Sequence, residues 1–503
     1  MREESDSEAL VMEPFELSYS DLVILSSTGP TDDPSSSASE EEILRWDSMR
    51  RSVMESLGPD GPGLLAVSGV PGVSFLRRRL QFAARELALL DPERRKRILK
   101  EQCLGSDVPL KDPDRRVSSF AMQLRYAEGV ANSRSKANNE LNRVASLENG
   151  DLNMNKSMKF QDDEYDHLGN SLKELGFVMM DLGICLARIC DSAIGGHELE
   201  QSLMESSSAK GRLIHYHSRI ENLVLKQSGK KSGINKGRVA SKKNLKRDSM
   251  KRGDSTHCEA KACCVSSNLW QQWHYDYGIF TVLTAPMFLS SVLPQEARED
   301  DRGAATCVQE CPYPGGHTHL QILDAKKGKV FMVKTSSESF IIQVGESADI
   351  LSKGKLRSTL HCVHRPPMHE NLSRESFVLF LQPAWTKIFT LSGYPMDQLV
   401  FDCEDTESSN DGCRLTQQDG RDLIDRISRI IPSLMSRLKD GMSFAEFSRE
   451  TTKQYYGGSG LQVGIEEAGA QLPSMLDFDF EPTRMTAMMR LQKQKTKREL
   501  EAA

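Results

Sequence analysis

The sequence predicts an α+β fold built on a β-rich sandwich or barrel. Three observations lead there. Between Trp270 and Trp385, short segments rich in β-branched and aromatic residues recur at regular spacing, each bounded by turn formers, the pattern of a sandwich or barrel. Ahead of them, residues 61–90 read as a strand followed by a helix, an α/β portion. From about Asp163 to Ser192 one apolar stripe runs at helical spacing. Composition sets the outer bounds: 503 residues, 38% hydrophobic, 27% charged and a net charge of −6. Length alone leaves room for about three domains at roughly 150 residues each. The charge is too small over this length to demand one electrostatic partner.

Taken in order, residues 1–42 are acidic and Ser-rich, a composition that buries too little to offset chain entropy, and disorder is expected. The start has neither the basic and apolar regions of a signal peptide nor the Arg-rich character of a transit peptide. No apolar run approaches the ~18–20 residues of a membrane span. A cytoplasmic chain is therefore expected. Residues 43–200 form an N-terminal helical and α/β region: a strand within 61–72, a helix marked by Phe75, Leu76, Leu80, Ala83, Leu87 and Leu90, and another opened by Pro92. Residues 129–158 are polar and Asn/Ser-rich, a loop. The helix of 163–192 follows, its face marked by Leu168, Leu172, Leu175, Val178, Met179, Leu182, Leu186 and Ile189.

Between Lys226 and Arg252, 27 residues hold 11 Lys/Arg and one acidic residue, Asp248. This basic insert predicts a solvated, disordered loop, with a nuclear import signal or a phosphate-contacting patch as its other readings. The β region is interrupted by a loop from Pro294 to Gly316 that should lie outside the sheets. Residues 401–503 read as a helical extension, with Ser443 and Glu446 spaced as a capping box, and a basic tail. Eleven cysteines make no disulfide framework, since the number is odd and no secretory signal accompanies them. Cys258, Cys263, Cys264, Cys307 and Cys311, with His317 and His319, are candidate zinc ligands; free loop thiols fit their irregular spacing better. His215, His217, His317 and His319 read as surface or loop histidines.

The chemistry-bearing motif lies inside the β region. In Trp273-His274-Tyr275-Asp276-Tyr277-Gly278 an imidazole and a carboxylate stand two apart, on one side of a strand. With a third ligand from another strand they would make two histidines and a carboxylate on one face of a metal, the set of non-haem Fe(II) oxygenases. His361, on the strand after the turn at Gly354, is a candidate for that third ligand. His364, three residues on, should face the other side of its strand. Thirteen residues beyond His361 come Arg374 and Ser376 on an apolar strand. A buried arginine needs an anion, and its planar fork matches a carboxylate.

On these residues the chain resembles the plant-type, isopenicillin-N-synthase-like family of 2-oxoglutarate and Fe(II)-dependent dioxygenases. The family's His-x-Asp-x-Gly-x-x-Thr pattern matches His274, Asp276, Gly278 and Thr281, and its Arg-x-Ser matches Arg374 and Ser376. Gly345-Glu346, Gly354 and Ser358-Thr359-Leu360-His361 look like the stretch that leads to the second histidine. Leu213-Ile214-His215-Tyr216-His217 echoes the segment that carries the family's co-substrate tyrosine, which falls on Tyr216. The likeness spans about 60–400 and is closest from 270 to 385. It departs at the basic insert and in the 85 residues from Asp276 to His361, a longer interval than usual.

The resemblance implies a double-stranded β-helix, or jelly roll, with flanking helices, its oxygenase domain over 201–400 and interrupted by the insert at 226–252. It implies Fe(II) on His274, Asp276 and His361, with 2-oxoglutarate held through Arg374, Ser376 and Tyr216. O2 would then hydroxylate or desaturate a small molecule as 2-oxoglutarate is decarboxylated to succinate. Other readings stay open: oxidation without 2-oxoglutarate, an idle scaffold acting through the insert, or a dioxygenase of nucleic acid or protein. Nucleic acid is not favoured, because no aromatic residues interleave with the lysines of the insert. Substrate and oligomeric state are not legible.

Overall fold

The computed structural model describes residues 10–27, 39–126 apart from 107, 111, 113 and 114, 162–232, 268–291, 308–324, 329–395, 427 and 429–457. In chain order these form β1 (Val11–Met12), β2 (Glu16–Ser18), α1 (Tyr19–Ser27), α2 (Glu40–Leu57), β3 (Leu64–Ser68), α3 (Ser74–Leu89), α4 (Pro92–Glu101) and β4 (Val117–Arg125). After a 3-10 turn come α5 (Leu168–Ile194), α6 (Glu198–Ser206), β5 (Ser208–Tyr216), α7 (Arg219–Ser232), β6 (Leu269–His274), β7 (Phe280–Thr284) and β8 (Met287–Ser291). The remainder is β9 (Val308–Cys311), β10 (Leu320–Asp324), β11 (Lys329–Val333), β12 (Phe340–Val344), α8 (Glu346–Leu351), β13 (His361–His364), β14 (Leu372–Leu381), α9 (Leu434–Arg437) and α10 (Phe444–Gly457).

The strands make two sheets. A five-stranded sheet runs β1-β11-β10-β13-β6; the larger runs β2-β3-β12-β7-β14-β5-β4, with β8 on β14 and β9 on β8. They share an apolar layer to which one contributes Trp270, Leu320, Ile322, Val333 and Val363, and the other Ile214, Tyr216, Leu283, Phe288, Ile341 and Val378. Alternation along each strand sends the intervening residues to the opposite face. There Leu213, Phe377 and Leu379 pack in one cluster with Leu80 and Leu87 of α3 and with Leu172, Leu175 and Met179 of α5. Helix α5 approaches the sheet on glycines: a Cβ at Gly176 would lie 2.3 Å from Leu124, and one at Gly183 2.0 Å from Leu381. The two are seven residues, about two turns, apart and share a face.

Mixed α and β content agrees with expectation, and several local signals read true. Asp91 caps α4 by accepting from the Glu93 and Arg94 amides, with Pro92 in the first turn. Ser443 and Glu446 make the reciprocal capping box of α10. Other expectations fail. Residues 10–27, expected to be disordered, form β1, β2 and α1: β1 runs parallel to β11 and β2 parallel to β3, with Leu17, Leu22 and Leu25 buried. The acidic, Ser-rich average over 42 residues hid a short apolar stretch that two sheet edges can complete. Within the 294–316 loop, β9 pairs with β8 and so belongs to a sheet. The helical reading of residues 421–438 holds at 427, 429 and 430, breaks at 431–433 around Pro432 and resumes as the four residues of α9; residues 421–426 lie outside the described residues. Residues 129–158, the basic insert beyond Ser232, Cys258, Cys263, Cys264 and Cys307, and the basic tail lie outside the described residues. No helix among the described residues is long and apolar enough to cross a membrane.

Candidate metal centre and anion pocket

Strand β6 ends on His274, and β13 begins on His361. The two are paired across the β6–β13 ladder, with ring centroids 4.2 Å apart. Asp276 sits in the loop that leaves β6. That loop is held from behind: Glu346 N–H donates to the Asp276 carbonyl at 2.8 Å, Gly345 N–H to that of Ile279 at 2.9 Å, and Ser347 N–H to that of Gly278 at 3.0 Å. The fit requires glycine at 345, where a Cβ would fall 2.2 Å from the Gly278 oxygen and 3.0 Å from the Asp276 oxygen.

One ligand atom from each of His274, Asp276 and His361 falls within 4.8 Å of the other two. Each histidine Nε2 is 3.8 Å from an Asp276 oxygen. The tautomers follow from the opposite nitrogens. His274 Nδ1 lies 2.8 Å from the Gln272 carbonyl, and His361 Nδ1 lies 3.0 Å from that of Thr359. A carbonyl only accepts, so each Nδ1 carries a proton, and Nε2 is the nitrogen turned toward Asp276, the lone-pair position of a neutral ring. Burial, then the neighbouring His361, pushes His274 down to about 4, leaving it neutral and fit to ligate. Thr281 Oγ1 donates to Asp276 Oδ2 at 2.7 Å and fixes the carboxylate.

Next to this triad lies Gln271. Its amide N–H donates to His274 Nε2 at 2.8 Å, and its oxygen accepts from the Tyr216 hydroxyl at 3.0 Å. Tyr216 and Arg374 are partners across β5–β14, and the guanidinium carbon lies 5.2 Å from the ring centroid. Burial raises the Tyr216 hydroxyl above its ordinary value. Arg374 is 3% exposed. Its Nε donates to the Thr318 carbonyl at 3.2 Å, and among the described residues no carboxylate forms an ion pair with it. Burial lowers its pKa accordingly. Two residues along the same face of β14, Ser376 Oγ is buried without a hydrogen-bond partner. An unpaired cation and an orphaned hydroxyl side by side make a pocket with the chemistry of an anion site.

The structure thus brings His274, Asp276 and His361 together and links His274 through Gln271 to Tyr216, whose ring meets Arg374; Ser376 shares only the strand face with Arg374. His364 is outside the triad; its ring stacks 6.2 Å from that of His319. Of the histidines expected at the surface or in loops, His217, His317 and His319 do lie in loops and His215 on β5, but none is at the surface: His215 and His217 are 0% exposed, His317 7% and His319 4%. His319 Nε2 donates to the Pro314 carbonyl at 2.9 Å. His215 and His217 join Glu375 and Glu221, two carboxylates that sequence reasoning missed. The signal available for them was the His-x-His spacing on β5 and the place of Glu375 between Arg374 and Ser376.

No family profile and no curated protein matches this sequence. Solved structures do. A full-length Neurospora crassa protein in complex with alpha-KG and 5-formyluracil is 10% identical, over 90% of this chain and 97% of that one, at a TM-score of 0.44. The dioxygenase for auxin oxidation of rice is 15% identical, over 86% and 99%, at 0.40. The Arabidopsis thaliana dioxygenase for auxin oxidation 1, bound to 2-oxoglutarate, is 14% identical, over 74% and 93%, at 0.37.

Proposed function

We propose that this chain is a dioxygenase dependent on Fe(II) and 2-oxoglutarate, which hydroxylates or desaturates a small molecule within a double-stranded β-helix. On this reading residues 201–400 carry the oxygenase core, 43–200 its N-terminal region and 401–503 a C-terminal extension. The observation that carries it is the pairing of two incomplete sites. Among the described residues, two imidazoles and a carboxylate converge with no cation between them, and a buried arginine and serine lie close by with no partner anion.

The donor set fits the ion. His274 Nε2, His361 Nε2 and the Asp276 carboxylate would hold Fe(II) and leave positions open. The bound iron would supply O2 activation, coupled to oxidative decarboxylation of 2-oxoglutarate. The chain's own residues do the rest. The Gln272 and Thr359 carbonyls hold both rings by Nδ1 and so turn Nε2 toward Asp276, which Thr281 orients. Arg374 receives the far carboxylate of the co-substrate in its planar fork, with a hydrogen bond added by Ser376 Oγ. The Tyr216 ring props the guanidinium from one side. Gln271 must release His274 Nε2 for the metal, and its bond to Tyr216 gives the amide somewhere to turn. The apolar layer between the sheets keeps water from the pocket, which strengthens each of these contacts.

The test is anaerobic addition of Fe(II) and then 2-oxoglutarate, watched for the visible charge-transfer band of a chelated keto acid. The band should form in the unaltered chain, vanish in His274→Ala and weaken in Arg374→Ala. Iron-loaded protein that never develops it would overturn the reading.

A further inference from the structure

On the helix-facing side of β5 and β14, opposite the anion pocket, a second group of donors converges. His215 and His217 are 0% exposed and Glu221 6%. His215 Nε2 lies 3.1 Å from His217 Nδ1 and 3.2 Å from Glu221 Oε2; the third edge, His217 Nδ1 to Glu221 Oε2, is 3.9 Å. Tetrahedral zinc with ligands at about 2.0–2.1 Å sets its donors roughly 3.3–3.4 Å apart. The three edges bracket that spacing, and 3.9 Å is too long for a hydrogen bond.

The second observation is what holds the opposite atom of each residue. His215 Nδ1 lies 2.8 Å from a Glu375 oxygen, His217 Nε2 is 2.8 Å from Ser118 Oγ, and Glu221 Oε1 accepts from Arg85 Nε at 3.0 Å. Metal-ligating histidines characteristically bond their other nitrogen to a carboxylate or similar group, which fixes ring and tautomer. Here every converging atom is backed in that way. Local structure explains the convergence. His215 and His217, two apart on extended chain, point to one side. The first turn of α7 then folds Glu221 back over the strand end, where Ser218 N–H donates to Glu221 Oε2 at 2.9 Å.

We propose that His215, His217 and Glu221 form a second metal site that binds Zn(II), separate from His274, Asp276 and His361. It does not rest on the dioxygenase reading. Among the described residues no fourth protein donor joins the three, so a tetrahedral ion completes its shell with water. The ion ties the start of α7 to β5, directly behind Tyr216 and Arg374. The competing arrangement is the same set of atoms held by a proton on His215.

The full-length chain carrying His274→Ala and His361→Ala, which silences the first triad, is stripped with chelator and given Zn(II) alone. Bound metal is counted by mass spectrometry and the thermal midpoint recorded. One zinc per chain and a raised midpoint are expected. Glu375→Gln should weaken binding about 10- to 100-fold, and Glu221→Gln should abolish it. Because those variants could fail to fold, Co(II) is also added to the otherwise unaltered triad-silenced chain. Tetrahedral d–d bands with no near-ultraviolet thiolate-to-metal band are expected. No retained metal with an unmoved midpoint, or a thiolate band from the cysteine-rich segment, would overturn the proposal.

Discussion

Tyr216 and Arg374 face each other across the β5–β14 ladder, the guanidinium carbon 5.2 Å from the ring centroid. A desolvated cation on an aromatic face gains about 2 kcal/mol, and no carboxylate competes for it among the described residues. If the fork receives 2-oxoglutarate, charge retained without the fork will not suffice. Loss of one charge-assisted hydrogen bond costs about 1.5–3 kcal/mol, so Arg374→Lys should raise the 2-oxoglutarate Kd roughly 10- to 150-fold. Tyr216→Phe keeps the ring and should change it much less. Titration of the anaerobic charge-transfer band measures both; equal affinity in the Lys variant and the parent would remove Arg374 as the anchor.

Thr281 is 2% exposed and gives Asp276 Oδ2 its hydrogen bond at 2.7 Å. Thr281→Val preserves shape but leaves that oxygen without its donor. Groups of this kind are typically worth about 10- to 100-fold in metal affinity. Competition for Fe(II) against a coloured chelator should show a loss in that range with an unchanged circular dichroism spectrum. Undiminished affinity would mean that Asp276 is oriented by the loop backbone alone.

Arg437 and Glu346 form a bidentate pair, at 2.5 and 2.8 Å, with side chains 1% and 3% exposed. Removing one partner strands a buried charge, at about 3–5 kcal/mol. Arg437→Met should therefore lower unfolding stability by that amount, and Arg437→Met with Glu346→Leu by less than the sum of the single changes. Urea denaturation of the four proteins closes the cycle. Additive losses would show that the pair contributes nothing as a pair.

Asp349 supplies the pH dependence. Burial pushes its carboxyl up to about 6, against hydrogen bonds from Ser358 and Tyr394 that favour the charged form, while Glu346 nearby adds to the rise. A folded pKa above the unfolded value of about 3.9 means that the native state holds the proton longer. The group's contribution therefore falls as pH rises from about 4 to 6 and is flat above. Two units correspond to about 3 kcal/mol. Asp349→Asn cannot titrate, so its stability relative to the parent should improve by up to about that amount between pH 4 and 7. Parallel stability curves for the two proteins would sink the assignment.

Much of the first site was legible because its information is local. Arg374 and Ser376 stand two apart within β14, so alternation aligns them, whereas His274 closes β6 and Asp276, two residues on in the loop, is placed by the backbone bonds from 345–347. Joining His361 to them across 85 residues took the family pattern, since no local rule pairs β6 with β13. His215, His217 and Glu375 were illegible for a physical reason. Whether the outer face of β5 meets water depends on α3 and the first turn of α7 covering it, and Arg85 and Glu221 reach the cluster only by tertiary folding. Residues 10–27 escaped in the same way, since β1 and β2 are completed by hydrogen bonds from distant strands.

Strand β14 presents Arg374 and Ser376 to one side and Glu375 to the other, while β5 opposes them with Tyr216 and His215. A slip of one residue in a sheet exchanges its two faces. Such a misthreaded chain would turn the Glu375 carboxylate toward Tyr216 and drive Arg374 among the histidines, away from the Thr318 carbonyl. Both moves take a buried charge from its present hydrogen-bond partners, so the charge pattern itself penalises the wrong register more than apolar side chains would. The charged residues on the two faces thus also proofread the assembly of the sheet that carries them.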